Sequence, residues 1–81
     1  MSELSRLRWL CRRGMKELDL MMTKYLDTHY ESASIDEQAC FKKLLDMSDP
    51  ELYALLTGRS KAPSPRLERF TRSMRESAAQ G

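Results

Sequence analysis

The chain has 81 residues, 41% of them hydrophobic, which is enough for one small domain but not for a large internal substrate pocket. Its 14 basic and 12 acidic residues leave a net charge of +2, which argues against a protein whose affinity rests mainly on neutralising phosphates. No apolar run approaches the roughly 18 residues of a membrane span, and the N-terminus has no signal-peptide pattern. We therefore expect a protein of the bacterial cytoplasm that does not insert into membranes.

The first predicted helix runs from about residue 3 to residue 12, with Ser2 as a candidate N-cap. Residues spaced three and four apart form its apolar face: Leu4, Leu7 and Cys11. Trp9 lies off this face, between two arginines. We expect Trp9 to pack against a later helix; the alternative is an exposed anchor for a partner, because tryptophan is enriched at binding hot spots.

A glycine interrupts this helix-forming sequence in the segment Arg13-Gly14-Met15-Lys16-Glu17. Glycine inside a helix costs about 1 kcal/mol relative to alanine, so its presence indicates that bare backbone is needed there. The need is either a turn with positive φ or the close approach of another chain. With arginines beside a surface that lacks side-chain bulk, the segment is a candidate docking point for a partner.

The second predicted helix runs from about Met15 to His29 or Tyr30. One arc of its surface is apolar and should be buried: Met15, Leu18, Met21, Met22, Tyr25, Leu26 and His29. On this basis His29 is interpreted as a packing residue and not as a ligand. Taken alone, Glu17 is interpreted as a solvated carboxylate near a helix N-terminus, where the helix dipole favours negative charge.

Two capping boxes predict the next two helix starts, Ser34 with Glu37 and Ser48 with Glu51. The third helix is predicted to run from Ile35 to Asp46, and the fourth to end before Gly58, a natural C-terminal stop. Their buried sides are predicted to be Cys40, Phe41, Leu44 and Leu45 on the third helix, and Leu52, Leu55 and Leu56 on the fourth.

A proline-containing connection over residues 59–65 precedes a last helix that starts near Pro65 or Arg66, with a narrow apolar stripe of Leu67, Phe70, Met74 and Ala78. Arg66, Arg69, Arg72 and Arg75 wind through half the helix circumference, so we interpret them as solvated charges and not as a nucleic-acid face. No strand-like alternation occurs. The predicted fold is all-α, a compact bundle of about five short helices in a single domain over residues 1–81, with residues 1–2 and 77–81 frayed.

The sequence predicts no catalytic residues and no metal site. Cys11, Cys40 and the single histidine cannot form the usual four-ligand zinc site, and there is no Gly-rich phosphate loop or nucleophile–base arrangement. Both thiols are expected to be reduced. The alternative is a redox-sensitive, exposed Cys11 whose pKa is lowered by Arg12 and Arg13.

The segment from Trp9 to Asp19 resembles the signature of the SdhE family, the flavinylation or FAD assembly factors of succinate dehydrogenase. Its pattern Arg-Gly-x-x-Glu is matched by Arg13, Gly14 and Glu17. A second segment, residues 44–52 followed by Tyr53, resembles the second half of that family. The resemblance fades after about Gly58 and covers roughly three quarters of the chain.

The resemblance implies an assembly factor, and not an enzyme, that binds the flavoprotein subunit of succinate dehydrogenase and promotes covalent attachment of FAD to it. Fumarate reductase is a second candidate client, and the factor would be a monomer with no cofactor of its own. Gly14 would admit the client backbone, Arg13 would offer its guanidinium to the client, and Glu17 would accept from client donors or pair with Arg13. The flanking contacts would be Trp9, Arg12, Lys16 and Asp19.

Three other functions stay open at this point. One is a small helical nucleic-acid-binding regulator that uses Arg6, Arg8, Arg12 and Arg13. The second is a generic helical adaptor or antitoxin-like partner, which would share the interface chemistry without preferring a flavoprotein. The third is an enzyme that acts through Cys11.

Overall fold

Every regular element is helical in the computed structural model, which describes residues 2–79. The helices are α1 (Glu3–Leu10), α2 (Lys16–Tyr25), α3 (Ile35–Leu45), α4 (Asp49–Leu56) and α5 (Pro65–Ala79), and a π-helical turn, Leu26–Tyr30, continues α2. The radius of gyration of 11.6 Å is close to the roughly 12 Å expected of a compact chain of this length. The prediction of an all-α bundle of five short helices is confirmed.

Serine side chains cap the start of four of the five helices. Ser2, Ser34, Ser48 and Ser64 each accept a hydrogen bond at Oγ from a backbone N–H three residues later, at 3.2, 3.1, 3.4 and 3.2 Å. At Ser34 and Ser48 this bond is one half of each predicted capping box. The other half differs from the prediction, because the serine hydroxyl, and not the serine backbone N–H, donates to Oε1 of Glu37 and of Glu51. At the start of α2, by contrast, Met15 makes no side-chain capping bond.

Every helix contributes to one apolar core. The side chains with the least exposed surface are Cys11, Met22, Phe41, Leu44 and Leu52. Phe41 lies at its centre, with its ring 5.1 Å from that of Tyr25 and 5.5 Å from that of Tyr30. Because Tyr25 also meets Phe70 edge to face at 5.2 Å, the aromatic cluster joins α2, α3 and α5.

The π-helical turn corrects the prediction for His29. A π turn contains more residues per turn than an α-helix, so the side chains that follow are rotated relative to the 3.6-residue period. Tyr30 thereby takes the buried position, at 4% exposure, while His29 is exposed and stacks on Tyr25 with ring centres 5.5 Å apart. The prediction that His29 packs in the core is wrong.

Helix α5 follows its predicted stripe, with Leu67, Phe70 and Met74 all buried. Thr71 is fully buried as well, and its hydroxyl donates to the carbonyl oxygen of Glu68 at 3.0 Å. Arg75 is not the solvated charge that was expected, because its Nη1 donates to the carbonyl oxygen of Leu55 at 2.9 Å.

The fraying expected at residues 1–2 and 77–81 stays a prediction. Met1, Gln80, Gly81 and the side chains of Ala78 and Ala79 lie outside the described residues.

Candidate partner-binding surface

The side chain of Arg13 turns inward from the α1–α2 connection, residues 11–15, and binds the junction between α3 and α4. Its Nε donates to Asp49 Oδ1 at 2.7 Å, its Nη1 to the carbonyl oxygen of Leu45 at 2.9 Å, and its Nη2 to the carbonyl oxygen of Met47. Carbonyl groups at a helix C-terminus lack partners within the helix and carry partial negative charge, which suits a guanidinium. Only 12% of the Arg13 side chain is exposed.

The main chain of Arg13 is held as well. Its N–H donates to Asp19 Oδ1 at 2.7 Å, and the half-buried Asp19 lies in the first turn of α2. The hypothesis that Glu17 pairs with Arg13 is wrong, because the carboxylate beside the guanidinium belongs to Asp49. Both Arg13 and Asp19 therefore have partners within the chain, and a direct contact of either with a client stays a prediction.

Gly14 is exposed and has φ of +86°. A Cβ atom built on it would meet no atom of the chain within 4 Å. Positive φ is thus the requirement that this chain itself imposes on the position, since a side chain there is strained even in open space. The same glycine leaves bare backbone facing outward.

The remaining predicted contact residues are exposed. Trp9 is 67% exposed, so the expectation that it packs against a later helix is wrong. We call the set of exposed residues around the connection the Gly14 surface: Trp9, Arg12, Gly14, Lys16 and Glu17. A largely exposed tryptophan, bare backbone and charged side chains within one short segment have the composition of a protein-binding surface.

Cys11 has none of the features of a reactive thiol. It is completely buried, and burial raises its pKa to about 11, which outweighs the opposing effect of nearby arginines. Burial also raises the pKa of Cys40. The alternative of an exposed Cys11 with a lowered pKa is wrong.

The cations proposed for a nucleic-acid site are partly engaged elsewhere. Arg8 pairs with Asp27 at 2.6 Å, and Arg13 pairs with Asp49. Of these four arginines, Arg6 and Arg12 have no ion pair among the described residues. Two free cations do not favour a regulator that neutralises several phosphates.

Two kinds of feature are absent from residues 2–79. No group of three or more His, Cys, Asp or Glu side chains is arranged to hold a metal ion. None of the helices is both long enough and apolar enough to cross a membrane.

Sequence reasoning missed the part that Asp49 plays. Carboxylates are common in the first turn of a helix, so the position of Asp49 in the sequence does not reveal a distant partner. Its partner is 36 residues away, and no periodicity links two positions so far apart. The only signal was indirect, because Asp49 lies in the second segment that resembles the SdhE family.

Comparison with known proteins agrees with that resemblance and extends it. A family model described as "Flavinator of succinate dehydrogenase" matches residues 5–78, so the match continues past Gly58, where the resemblance was expected to fade.

Three similar proteins carry the name FAD assembly factor SdhE. The protein from Shewanella oneidensis is 40% identical over 76 residues, which are 94% of this chain and 93% of the relative. The one from Methylococcus capsulatus is 39% identical over 93% of this chain and 90% of the relative. The one from Idiomarina loihiensis is 39% identical over 85% and 77%, respectively. The chain therefore belongs to the family of succinate dehydrogenase flavinators.

Proposed function

We propose that this protein promotes the covalent attachment of FAD to the flavoprotein subunit of succinate dehydrogenase, and that it binds this subunit through the Gly14 surface. Membership of the flavinator family supports the activity. One observation of the structure supports the surface: Gly14 presents bare backbone with no atom of its own chain within 4 Å of the Cβ position.

The proposed mechanism is conformational. The factor binds the arrangement of the flavoprotein in which FAD and the accepting histidine are correctly placed, and so shifts the subunit toward that arrangement. Holding reacting groups in place can remove several kcal/mol from a barrier, about 7–11 kcal/mol at the upper end. The covalent chemistry belongs to the flavoprotein and its cofactor, and the factor needs no cofactor of its own.

Each residue of the Gly14 surface has a role that follows from its chemistry. Gly14 admits the client backbone, and Trp9 supplies a large apolar contact. Glu17 accepts hydrogen bonds from client donors, while Arg12 and Lys16 donate to carbonyl or carboxylate groups.

The proposal extends to client range and state. The flavoprotein of fumarate reductase would be a second client, because the Gly14 surface binds a conformation of the flavoprotein subunit and does not contact its substrate. The factor would act as a monomer, since one Gly14 surface is enough to bind one client. It would act in the bacterial cytoplasm.

The experiment is capture of the client from native lysate with the tagged protein and with its Gly14→Arg variant. Captured bands are separated under denaturing conditions and viewed under ultraviolet light for covalent flavin. Ala39→Arg is the matched control, because it places the same side chain on an exposed helical position of α3. Circular dichroism establishes that all three proteins are folded.

We expect the wild type and the Ala39→Arg variant to capture a fluorescent flavoprotein of succinate dehydrogenase size, and the Gly14→Arg variant to capture none. Capture of the same non-flavin protein by all three would support a generic adaptor instead. Equal capture of the flavoprotein by all three would place the binding surface elsewhere.

A further inference from the structure

The α1–α2 connection is fixed on both sides of Gly14. Before the glycine, Cys11 is completely buried and its N–H donates to the carbonyl oxygen of Leu7 at 3.0 Å. The N–H of Arg13 donates to Asp19, and its side chain is bound to the α3–α4 junction. Since α2 has no side-chain cap of its own, these contacts are what holds its start in place.

Little of Arg13 is left for a partner. A guanidinium has five N–H donors on three nitrogens, and each of its nitrogens here donates to Asp49, Leu45 or Met47. The Arg13 side chain is 12% exposed and that of Asp49 32%, so the guanidinium is largely buried and the carboxylate is partly open to water. A charge-assisted bond at 2.7 Å in such a place is stronger than a pair on the open surface.

Asp49 is itself placed by the second half of the chain. It is the first residue of α4, directly after the N-cap Ser48, whose hydroxyl also donates to Glu51 Oε1 at 2.9 Å. The Ser48 cap therefore fixes where α4 begins, and with it the backbone position of Asp49. The conformation around Gly14 depends on a residue that lies 36 positions from Arg13.

We propose that Asp49 is a positioning residue of the Gly14 surface, which acts through Arg13 to hold the α1–α2 connection in the conformation that binds the client. The identity of that client rests on the proposed function. When a binding-competent conformation is only partly populated, the apparent affinity falls by the populated fraction. Arg13 thus serves recognition without contacting the client, because it keeps the connection organised before binding.

The test uses Asp49→Asn, Arg13→Ala and the double variant, with Asp46→Asn as matched control. Asp46 lies at the same junction and is exposed, its substitution changes the net charge equally, and its carboxylate pairs with no cation among the described residues. Two quantities are measured on the full chain: affinity for the purified flavoprotein subunit, and hydrogen exchange of the Arg13 amide. Exchange of the Leu44 amide in α3 monitors global unfolding.

We expect Asp49→Asn to weaken binding about tenfold, because the competent population falls to about a tenth. Exchange of the Arg13 amide should speed up at least tenfold, because it follows the open population, which rises. Exchange of Leu44 should report a loss of global stability no larger than that of Arg13→Ala, and Asp46→Asn should alter neither binding nor exchange. The double variant should bind no more weakly than Arg13→Ala alone, since both substitutions break the same contact.

Two results would overturn the proposal. If Arg13→Ala weakens binding while Asp49→Asn does not, Arg13 contacts the client directly. If Asp49→Asn leaves exchange of the Arg13 amide unchanged, Asp49 does not hold the connection. Should the wild type fail to bind the flavoprotein, the proposed function fails, and the exchange measurement alone decides whether Asp49 organises the connection.

Discussion

The α1–α2 and α4–α5 connections both contain a glycine with positive φ, but the two glycines differ in their surroundings. Each contains a glycine in the left-handed region, Gly14 with φ of +86° and Gly58 with φ of +80°. Each also has an arginine that donates to a carbonyl group at the end of a helix, Arg13 at α3 and Arg75 at α4. At Gly58 the guanidinium of Arg75 lies 3.8 Å from the Cβ position, whereas at Gly14 no atom of the chain lies within 4 Å.

The comparison separates the positive φ that the fold needs at both glycines from the open backbone that is present at Gly14. Gly58 ends α4, with its N–H and the N–H of Arg59 bonded back to carbonyl groups of the helix, as at many helix C-termini. Gly58 is exposed, but the guanidinium of Arg75 lies against it. Gly14 meets the same conformational demand with no atom of the chain within 4 Å of its Cβ position. The two glycines are therefore a matched pair that differs in how openly the backbone can be approached.

The largest expected effect is unfolding of the whole domain, which disrupts both connections at once. Phe41 is completely buried against Tyr25 and Tyr30, so Phe41→Ala should cost about 3–5 kcal/mol. A domain of this size rarely has more stability than that, so we expect the variant to be largely unfolded by circular dichroism and to capture no client. A cooperative unfolding transition close to that of the wild type would show that the aromatic cluster is not the centre of the core.

Substitution of Arg13 and of Arg75 should both lower stability, but only substitution of Arg13 should weaken client binding. Arg13→Ala leaves two carbonyl groups and Asp49 without their donor, so the free energy of unfolding should fall by about 1–3 kcal/mol in urea titration. Arg75→Ala removes one bond to a carbonyl group and should cost about 1 kcal/mol. Client capture should fall only for Arg13→Ala; an equal loss for Arg75→Ala would mean that the two connections do not differ in function.

The buried thiol of the α1–α2 connection predicts a pH dependence. Burial raises the pKa of Cys11 from about 9 to about 11, so between these values the unfolded thiol ionises while the folded one keeps its proton. The free energy of unfolding should therefore fall as pH rises from 9 to 11, by an amount on the order of 2 kcal/mol for this group.

Urea titrations across that range provide the measurement. Cys11→Ala should flatten the curve only in part, because burial also raises the pKa of Cys40 and raises that of Tyr25 to about 12. A curve for Cys11→Ala that falls as steeply as the wild type would contradict the account of this thiol. Cys40→Ala is the control for removal of a thiol outside the connection.

The smallest expected effect compares two capping serines. Ser34→Ala and Ser48→Ala each remove a bond from Oγ to a helix N-terminus and should each cost about 1 kcal/mol. Only Ser48 precedes Asp49, so only its loss should also weaken client binding, by a factor of a few. If both variants bind alike at equal stability, the start of α4 does not influence the Gly14 surface.

Much of this fold follows from local signals. The serines at positions 2, 34 and 48 and the apolar spacing in α3, α4 and α5 predicted helix starts and buried faces to within a few residues. Such features depend on neighbours within one or two turns, which a sequence displays directly. The π-helical turn at Leu26–Tyr30 was not predicted, because it changes the number of residues per turn on which the pattern depends. As a result Tyr30, and not His29, lies in the core.

The break between α1 and α2 was predictable from the sequence, because Gly14 interrupts a helix-forming segment, but the arrangement of the side chains around it was not. That a partner binds at this break stays a prediction. That Arg13 turns inward to Asp49 depends on the packing of α1 against the α3–α4 junction, which no local pattern encodes. The exposure of Trp9 depends likewise on which face of α1 other helices cover.

The most direct test of the account compares Gly14→Ala with Gly58→Ala in a reconstituted flavinylation assay of purified apo-flavoprotein and FAD. Both substitutions place a side chain at positive φ and should lower the free energy of unfolding by about 1–2 kcal/mol. We predict that Gly14→Ala slows covalent flavin attachment at least tenfold while Gly58→Ala, equally destabilised, supports it at the wild-type rate. Equal rates for the two variants would contradict the claim that the open backbone at Gly14 is where the client binds.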